Sequence, residues 1–360
     1  MRVLVVTTWY PETHAPHRTP FVPRHVRAIA RHHEVHVIHV KLLDDSPAVD
    51  EEFDGVRVTR VGFDPGHPFS LARALSTIRH WARCADVVHT MAFSSALVAA
   101  PVVRRLPWVH TEHWNGVLFP EHVNTVWQWS AGLRHVLRLP RVVTGVSTLM
   151  TDTLARFARP GAVRLVGNVV DSSPRITPRS DQPLRLVGVG AATEHKGVVL
   201  AVETLAVLRS QGHDASLFWA GDGPCREAAL ERARELGIAE HVDLPGFRNA
   251  VQVQEDLAAA SVFLLPSKSE TFCVAAAEAL AAGRPVAMGA RGGQRDFVDG
   301  TNGRLVEERT AEAFAAAVVD LLSDPGLAPA REMAGAIRSR YGLEAVADDF
   351  STIYARVVCG

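Results

Sequence analysis

The sequence predicts an α/β protein of two domains, each built on a doubly wound parallel sheet. Its 360 residues are too many for one ordinary domain and suit two of about 180 residues. Short apolar runs typical of buried strands alternate with segments of helical spacing in both halves of the chain. A segment rich in Ser, Pro and Arg at residues 171–183 separates the two series and is expected to be a linker.

The first half begins as a strand, a helix and a second strand. Residues 3–8 begin with four apolar side chains and predict a buried strand, residues 21–30 carry apolar side chains at helical spacing, and residues 35–40 alternate as a strand does. The further strands expected in this half lie at residues 56–61, 86–90, 107–113 and 142–147, and the further helices at 71–82 and 148–157. In the second half strands are expected at residues 184–190, 215–220, 242–246 and 262–265, and helices at 197–210, 271–282, 311–322 and 344–358.

The composition is that of a globular protein, with 47% hydrophobic and 21% charged residues. No stretch reaches the roughly 18 to 20 apolar residues that a membrane helix needs, and no hydrophobic signal region precedes the first strand. We therefore expect a cytoplasmic protein. The four cysteines show neither CxxC nor CxH spacing, which indicates neither a disulfide framework nor a zinc site.

Charge is unevenly distributed although the net charge is −1. Residues 1–171 carry 19 Lys and Arg against 14 Asp and Glu, while the remaining residues carry 19 against 25. A basic half could meet an anionic acceptor or a membrane surface, and a solvated surface of mixed charge explains the same counts. Arginine greatly outnumbers lysine, which suggests a GC-rich bacterial gene.

Residues 262–286 carry the most informative pattern, a strand-like run followed by a loop, an Ala-rich helical segment and a Gly-x-Pro stop. Helix N-termini attract anions because their N–H groups and the positive end of the dipole point the same way, so residues 271–274 could hold a phosphate. At about 1.5 Å per residue, Glu270 and Glu278 would lie roughly 10 Å apart, which suits the two ends of a nucleoside diphosphate sugar. They could equally be a first-turn acid and a polar residue on an amphipathic helix.

This segment resembles the Glu-x7-Glu motif of the retaining glycosyltransferases of family 4, as do the Leu-Pro-Ser before it and the Ala-x-Gly-x-Pro-Val after it. Further motifs occur in that family's order, so the resemblance covers nearly the whole chain. It implies the GT-B architecture, in which two Rossmann-like domains face each other across a cleft and a last helix crosses back to the first domain. The expected bounds are 1–171 for the acceptor-binding domain, 172–183 for the linker, 184–343 for the nucleotide-sugar-binding domain and 344–360 for the returning helix.

The resemblance also implies roles for individual residues. Glu270 is expected to orient the sugar, Lys196 to stabilise the departing diphosphate, and His113 to face the sugar from the end of a strand. Glu278 is expected to bind the ribose. The remaining donor contacts are expected from Phe272, Cys273, Val274, Gly246, Phe247, Gly190 and Arg18.

Two positions depart from the family's pattern. Ala191 stands where an arginine is usual, which removes a bidentate contact to phosphate. Weaker donor binding, an arginine from elsewhere or loss of activity are the alternatives. The loop after the first strand contains Arg18, Thr19 and Pro20 but no glycine, so its backbone approaches a phosphate less readily. Arg18 could compensate by its charge.

The expected activity is metal-independent transfer of a sugar, with retention of configuration, from a UDP- or GDP-sugar to a hydroxyl of a small polar or glycoconjugate acceptor in natural-product or cell-envelope glycan biosynthesis. No cofactor is expected, and the sequence has no Asp-x-Asp metal signature. Aromatic and basic residues between Trp114 and Arg141 are the acceptor candidates. The alternatives are a nucleotide-sugar epimerase or phosphorylase and a non-catalytic nucleotide-sugar-binding protein. We expect a monomer or homodimer with no nucleic-acid partner and at most peripheral membrane contact.

Overall fold

The computed structural model describes residues 1–12, 21–120, 130–171, 176–180 and 182–359. The chain divides into two compact units, Met1–Val169 with Leu343–Gly360, and Val170–Gly342. The described part of the segment expected as a linker belongs to the second unit, where the Thr177 hydroxyl donates to the Ala258 carbonyl at 2.9 Å.

The described residues of the first unit form an eight-stranded sheet. Its strands are β1 (Arg2–Thr7), β2 (Glu34–Leu42), β3 (Val49–Phe53), β4 (Val56–Phe63), β5 (Val87–Met91), β6 (Trp108–Glu112), β7 (Val142–Gly145) and β8 (Val163–Leu165). Their order is β3-β4-β2-β1-β5-β6-β7-β8, and every pair is parallel except β3 with β4. The chain moves outward from β1 first through β2 and then through β5, so the strand order reverses beside β1, as in a doubly wound sheet.

Helices cover both faces of this sheet. They are α1 (Phe21–Ala30), α2 (Pro68–Ala82), α3 (Phe93–Val103), α4 (Asn115–Leu118) and α5 (Thr148–Ala155), with a 3-10 helix at Ser130–Arg138. Val5 belongs to a buried cluster with Val22 of α1, whereas the next residue, Val6, belongs to another with Ile78 of α2. Successive strand residues point to opposite faces, so the continuous apolar run of β1 is explained by burial on both sides.

The second unit repeats this plan with a six-stranded parallel sheet in its described residues. Its strands are β9 (Leu184–Val189), β10 (Ala215–Ala220), β11 (Val242–Gly246), β12 (Val262–Leu265), β13 (Val286–Gly289) and β14 (Gly303–Val306), in the order β11-β10-β9-β12-β13-β14. Its helices are α6 (Val198–Ser210), α7 (Arg226–Glu235), α8 (Ala250–Ala258), α9 (Val274–Ala281), α10 (Ala311–Ser323) and α11 (Ala330–Tyr341), with short 3-10 helices at Ala239–His241 and Gly293–Asp296. The order reverses between β9 and β12, which is the topological switch point.

The last helix, α12 (Leu343–Cys359), packs on the first unit. Its Phe350 and Tyr354 are buried in the same cluster as Val22 of α1. The Tyr354 hydroxyl lies 2.6 Å from Nδ1 of His89 in β5, so the helix is joined to the sheet by a buried hydrogen bond as well as by apolar packing.

The α/β class with two doubly wound parallel sheets is confirmed. Among the elements that the sequence patterns did not predict are β3, α3 and α11. The acidic sequence of β3 shows no apolar alternation, because this edge strand is largely exposed and pairs on one side only. None of the helices in the described ranges is long and apolar enough to cross a membrane.

Candidate active site

Two loops leave neighbouring strands at the switch point of the second sheet. Residues 190–197 join β9 to α6, and residues 266–273 join β12 to α9. β9 and β12 are hydrogen-bonded neighbours, and both loops follow the carboxyl ends of their strands. In open α/β sheets ligands bind in the crevice that forms at this place.

Lys196 and Glu270 form an ion pair between these two loops. The Nζ atom of Lys196 lies 2.8 Å from Oε1 and 2.9 Å from Oε2 of Glu270. The Lys196 side chain is 27% exposed and that of Glu270 8%. Burial alone would lower the pKa of Lys196, but the Glu270 carboxylate outweighs it and holds that pKa above its usual value. The amino group is therefore charged at neutral pH.

Further contacts fasten the two loops to each other. The Lys268 N–H donates to the His195 carbonyl at 2.8 Å, and Nε2 of His195 lies 2.7 Å from the Ser269 carbonyl oxygen. The Lys268 side chain pairs with Glu194. The first two contacts hold the backbone on both sides of the Lys196–Glu270 pair, so the pair is positioned before any ligand arrives. The Lys268–Glu194 pair is exposed and adds little to this.

Arg309 is a residue of this region that the sequence analysis missed. Its Nε donates to the Pro266 carbonyl and its Nη2 to the Glu194 carbonyl, each at 2.9 Å. It follows β14 with no motif around it, so no local signal marks it. Ala191 stands at the position where the resembling family usually has an arginine. Arg309, in the loop after β14, contacts both loops.

Gly292 allows the chain after β13 to close against Glu270. The two residues form an isolated parallel bridge, in which the Gly293 N–H donates to the Glu270 carbonyl at 3.0 Å. Gly292 has a φ of +138°, and a Cβ placed there would lie 2.1 Å from the Glu270 carbonyl oxygen. Only glycine fits that approach, which gives Gly292 a structural role beside the acid.

The helix after Glu270 begins later than the spacing suggested. Cys273 caps α9 with a left-handed φ of +72°, and the first helical residue is Val274. Half of the Glu270 to Glu278 interval is therefore not helical, so the estimate of roughly 10 Å from helical rise does not describe it. The N–H groups of the first turn of α9 have no acceptor within the helix, and that of Ala276 interacts with the Cys273 sulfur. Helix N-termini of this kind attract anions.

The side chains of Phe272 and Cys273 are buried and do not face solvent at the loop. The Phe272 ring is buried and packs on Phe297 and Tyr341, with ring centroids 5.1 and 5.0 Å away. Burial, reinforced by the Glu270 charge, raises the pKa of the Cys273 thiol far above its usual value. The thiol stays protonated and is a poor nucleophile.

Glu278 is a buried acid in a helix of otherwise small and apolar residues. It follows Val274 by one turn, so the two lie on the same side of α9. Long side chains in helices point back toward the N-terminus, which directs Glu278 toward the first turn. The direction of the Glu278 side chain agrees with its expected contact to the ribose, which stays a prediction.

Gly190, Gly246 and Phe247 lie at the carboxyl ends of β9 and β11. The Gly190 N–H donates to the Ala220 carbonyl, and the Gly221 N–H donates to the Gly246 carbonyl at 2.8 Å. These bonds continue the sheet beyond the strands and bring three loops side by side. The Phe247 side chain, directly after β11, is 58% exposed.

His113 belongs to the first unit, directly after β6. Its buried ring packs on Phe21 at 4.8 Å and on His25 at 5.0 Å between centroids. The preceding Glu112 carboxylate accepts hydrogen bonds from the N–H groups of His113 and Trp114. Burial, together with the neighbouring histidines, holds the pKa of His113 well below its usual value, so the ring is neutral.

The predicted site residues of the second unit thus lie in and around the loops at the carboxyl ends of its strands. His113 is the predicted residue described in the first unit. Arg18 lies outside the described residues, as do Trp127 and Trp129 of the acceptor candidates. Phe119 is buried, and Arg134 is buried with its guanidinium 5.6 Å from the Phe157 ring centroid. These two residues are therefore structural and do not offer an open acceptor surface. Within the described ranges, no group of three or more His, Cys, Asp or Glu side chains is arranged to hold a metal ion.

Comparison with known proteins is consistent with this architecture. A model of the glycosyl transferase 4-like domain matches residues 8–169, and a model of the glycosyl transferases group 1 matches residues 170–339. Together they account for both parallel-sheet units.

Relatives and solved structures span nearly the same length. The chain is 27% identical over 351 residues to a glycogen synthase of Mycobacterium tuberculosis, covering 86% of this chain and 82% of that protein. It is 28% identical over 314 residues to a 2-deoxystreptamine glucosyltransferase of Streptomyces kanamyceticus, covering 79% and 78%. Anabaena HepE, solved in complex with UDP, has the same fold with a TM-score of 0.77, at 17% identity over 99% of this chain and 100% of that one. The protein therefore belongs to the GT-B glycosyltransferases of the group 1 and family 4 type.

Proposed function

We propose that this glycosyltransferase moves a sugar from a UDP- or GDP-sugar to a hydroxyl group, with retention of anomeric configuration and without a metal ion. The observation that carries the proposal is the Lys196–Glu270 pair at the switch point of the second sheet. An ammonium and a carboxylate side by side at that place offer one group to the diphosphate and one to the sugar attached to it.

In the proposed reaction the bond between the anomeric carbon and the diphosphate oxygen breaks, and the oxygen keeps the electron pair. Lys196 and the N–H groups at the start of α9 stabilise that negative charge. An ammonium group has three N–H donors and Glu270 occupies at most two, so at least one remains for a phosphate oxygen. The acceptor oxygen bonds to the same face of the sugar, and its proton passes to the departing diphosphate.

The remaining residues are proposed to bind the donor. Glu278 accepts hydrogen bonds from the ribose, and the exposed ring of Phe247 stacks on the base beside the backbone of Gly190 and Gly246. His113, being neutral, exchanges hydrogen bonds with a sugar hydroxyl rather than supplying charge. Arg18 is proposed as a further contact to the donor.

The relatives support these choices without deciding them. HepE was solved with UDP, and the 2-deoxystreptamine glucosyltransferase is named for a small polar acceptor. We propose a uridine or guanosine donor and a small polar or glycoconjugate acceptor on this basis.

A thermal-shift screen with UDP-, GDP- and ADP-sugars tests the donor site. A donor at about 100 times its Kd is expected to stabilise the folded state by about 2.7 kcal/mol. Product NMR then reads the anomeric configuration, and EDTA is expected to leave turnover unchanged. No stabilisation by any nucleotide sugar would overturn the proposal.

The same assays separate the alternatives. Release of nucleoside diphosphate only when an acceptor is present identifies transfer rather than epimerisation. Tight donor binding without turnover across a panel of acceptors would identify a binding protein, the alternative suggested by Ala191 and the glycine-free first loop.

A further inference from the structure

A pocket of 470 Å³ lies at the amino-terminal edge of the first sheet. It is formed by the start of β7, the turn that leads into β8, and the last turns of α12. His113 follows the carboxyl end of β6, so it lies toward the opposite edge of the same parallel sheet. The pocket is therefore separate from the site described above.

Four arginines line this pocket, and no acidic residue does. All four, Arg141, Arg159, Arg164 and Arg356, are exposed. None of them forms an ion pair with a carboxylate in the part of the chain that the structure describes. Many other arginines of this protein are paired, for example Arg60 with Glu51 in the same unit.

Three of the four guanidinium groups are held in place by backbone carbonyls. Arg141 donates through Nη1 to Val357 at 2.6 Å, Arg159 through Nη2 to two carbonyls before β7, and Arg164 through Nη1 to two carbonyls at 2.7 Å. A guanidinium has five N–H donors, so each keeps several for a ligand. Arg141 helps to cap α12, and Arg159 and Arg164 brace the loops on either side of β7, but these bonds use only part of their donors. Arg356 makes no such bond in the described structure.

The basic character of this region is also visible in the sequence. Residues 134–164 contain six arginines and one acidic residue, Asp152. Residues 1–171 as a whole carry 19 basic against 14 acidic residues. The segment's net charge of +5 equals that of residues 1–171 as a whole, and it supplies three of the four pocket arginines, while Arg356 comes from α12.

We propose that this pocket binds a phosphate group, carried by an anionic lipid or by a soluble phosphorylated compound. Guanidinium groups match phosphate oxygens in pairs, and a doubly charged anion relieves the repulsion among four like charges. The pocket has the size of small-molecule sites, which span about 300 to 1,000 Å³. The inference does not depend on the donor site, which belongs to the other unit.

The test uses the full chain and compares two charge reversals. Arg356→Glu changes the one pocket arginine that makes no hydrogen bond in the described structure, so the fold is expected to survive it. Arg79→Glu is the matched control, because Arg79 is also an exposed helical arginine of the first unit with no such bond and lies outside the pocket. Arg164→Glu is a second pocket variant if Arg356→Glu fails to fold by circular dichroism.

Vesicles of phosphatidylglycerol with phosphatidylcholine, vesicles of phosphatidylcholine alone, and inorganic phosphate are the probes. If the source is a lipid, the wild type and Arg79→Glu cosediment with the anionic vesicles only, and the pocket variants bind about tenfold more weakly. If the source is soluble, phosphate raises the Tm of the wild type and Arg79→Glu by more than that of the pocket variants, and vesicles do not bind. The proposal is overturned if neither probe binds, or if the pocket variants and Arg79→Glu respond alike.

Discussion

The ammonium group of Lys196 sits almost symmetrically on the Glu270 carboxylate, 2.8 Å from one oxygen and 2.9 Å from the other, although 74 positions separate the two residues. The contact joins the loops that follow β9 and β12, the strands on either side of the switch point. It brings an ammonium and a carboxylate, the groups that we propose act on the diphosphate and its sugar, into one place mostly shielded from water.

Replacing either partner of this pair is expected to abolish transfer. Lys196→Ala removes a preorganised charge at the leaving group and should lower kcat by about 10² to 10³, and Glu270→Ala should also remove turnover. The matched control is Lys268→Ala, whose partner Glu194 is on the surface and whose loss should change kcat little. Steady-state kinetics with the donor found by thermal shift checks this, and near-wild-type turnover in Lys196→Ala or Glu270→Ala would disprove the assigned roles.

Gly292→Ala is expected to disturb the site through the backbone. Its Cβ would collide with the Glu270 carbonyl oxygen, and its φ of +138° is unfavourable for alanine. We expect the free energy of unfolding, measured in urea, to fall by about 1 to 3 kcal/mol. The folded fraction should also be less active. Gly300→Ala is the control, since nothing lies within 4 Å of its Cβ. Equal stability of the two variants would contradict the close approach seen at Gly292.

Cys273 is expected to resist alkylation in the native protein. Its thiol is buried and its raised pKa keeps the thiolate scarce at pH 8, whereas Cys84 and Cys359 are exposed. Iodoacetamide labelling followed by peptide mass spectrometry should modify Cys273 at least about tenfold more slowly than these two. Labelling of all three at one rate would show that the N-terminus of α9 opens readily.

His25 is expected to make the first unit sensitive to acid. Burial lowers its pKa to about 4, partly offset by its hydrogen bond to the Gly167 carbonyl. Because the unfolded chain takes up this proton near pH 6.5 and the folded protein does not, stability should fall as pH drops from about 6.5 to about 4, by up to about 3 kcal/mol.

His25→Gln should flatten that part of the curve of unfolding free energy against pH, and His80→Gln, at an exposed position, should not. An unchanged pH dependence in His25→Gln would show that other groups carry the acid sensitivity.

Local sequence patterns predicted those strands and helices whose own residues carry an apolar run or a stop signal. The run at β1 was recognisable because both of its faces are buried, and α9 because a Gly-x-Pro stop follows it. The edge strand β3 was not predicted, because its pairing with β4 and not its own composition makes it a strand. The start of α9 was placed too early because Cys273 adopts a left-handed conformation that no local propensity favours.

Residue type and spacing were enough to predict the fold class, the family resemblance and the charged residues around the expected donor site. The three-dimensional packing was needed to show that Lys196 pairs with Glu270 and that Gly292 closes on the same acid. It also showed that Arg309 contacts both loops and that four arginines share one pocket. Each of these contacts joins segments that are far apart in the chain. Such contacts are set by strand order and by packing between elements, which residue spacing along one segment does not encode.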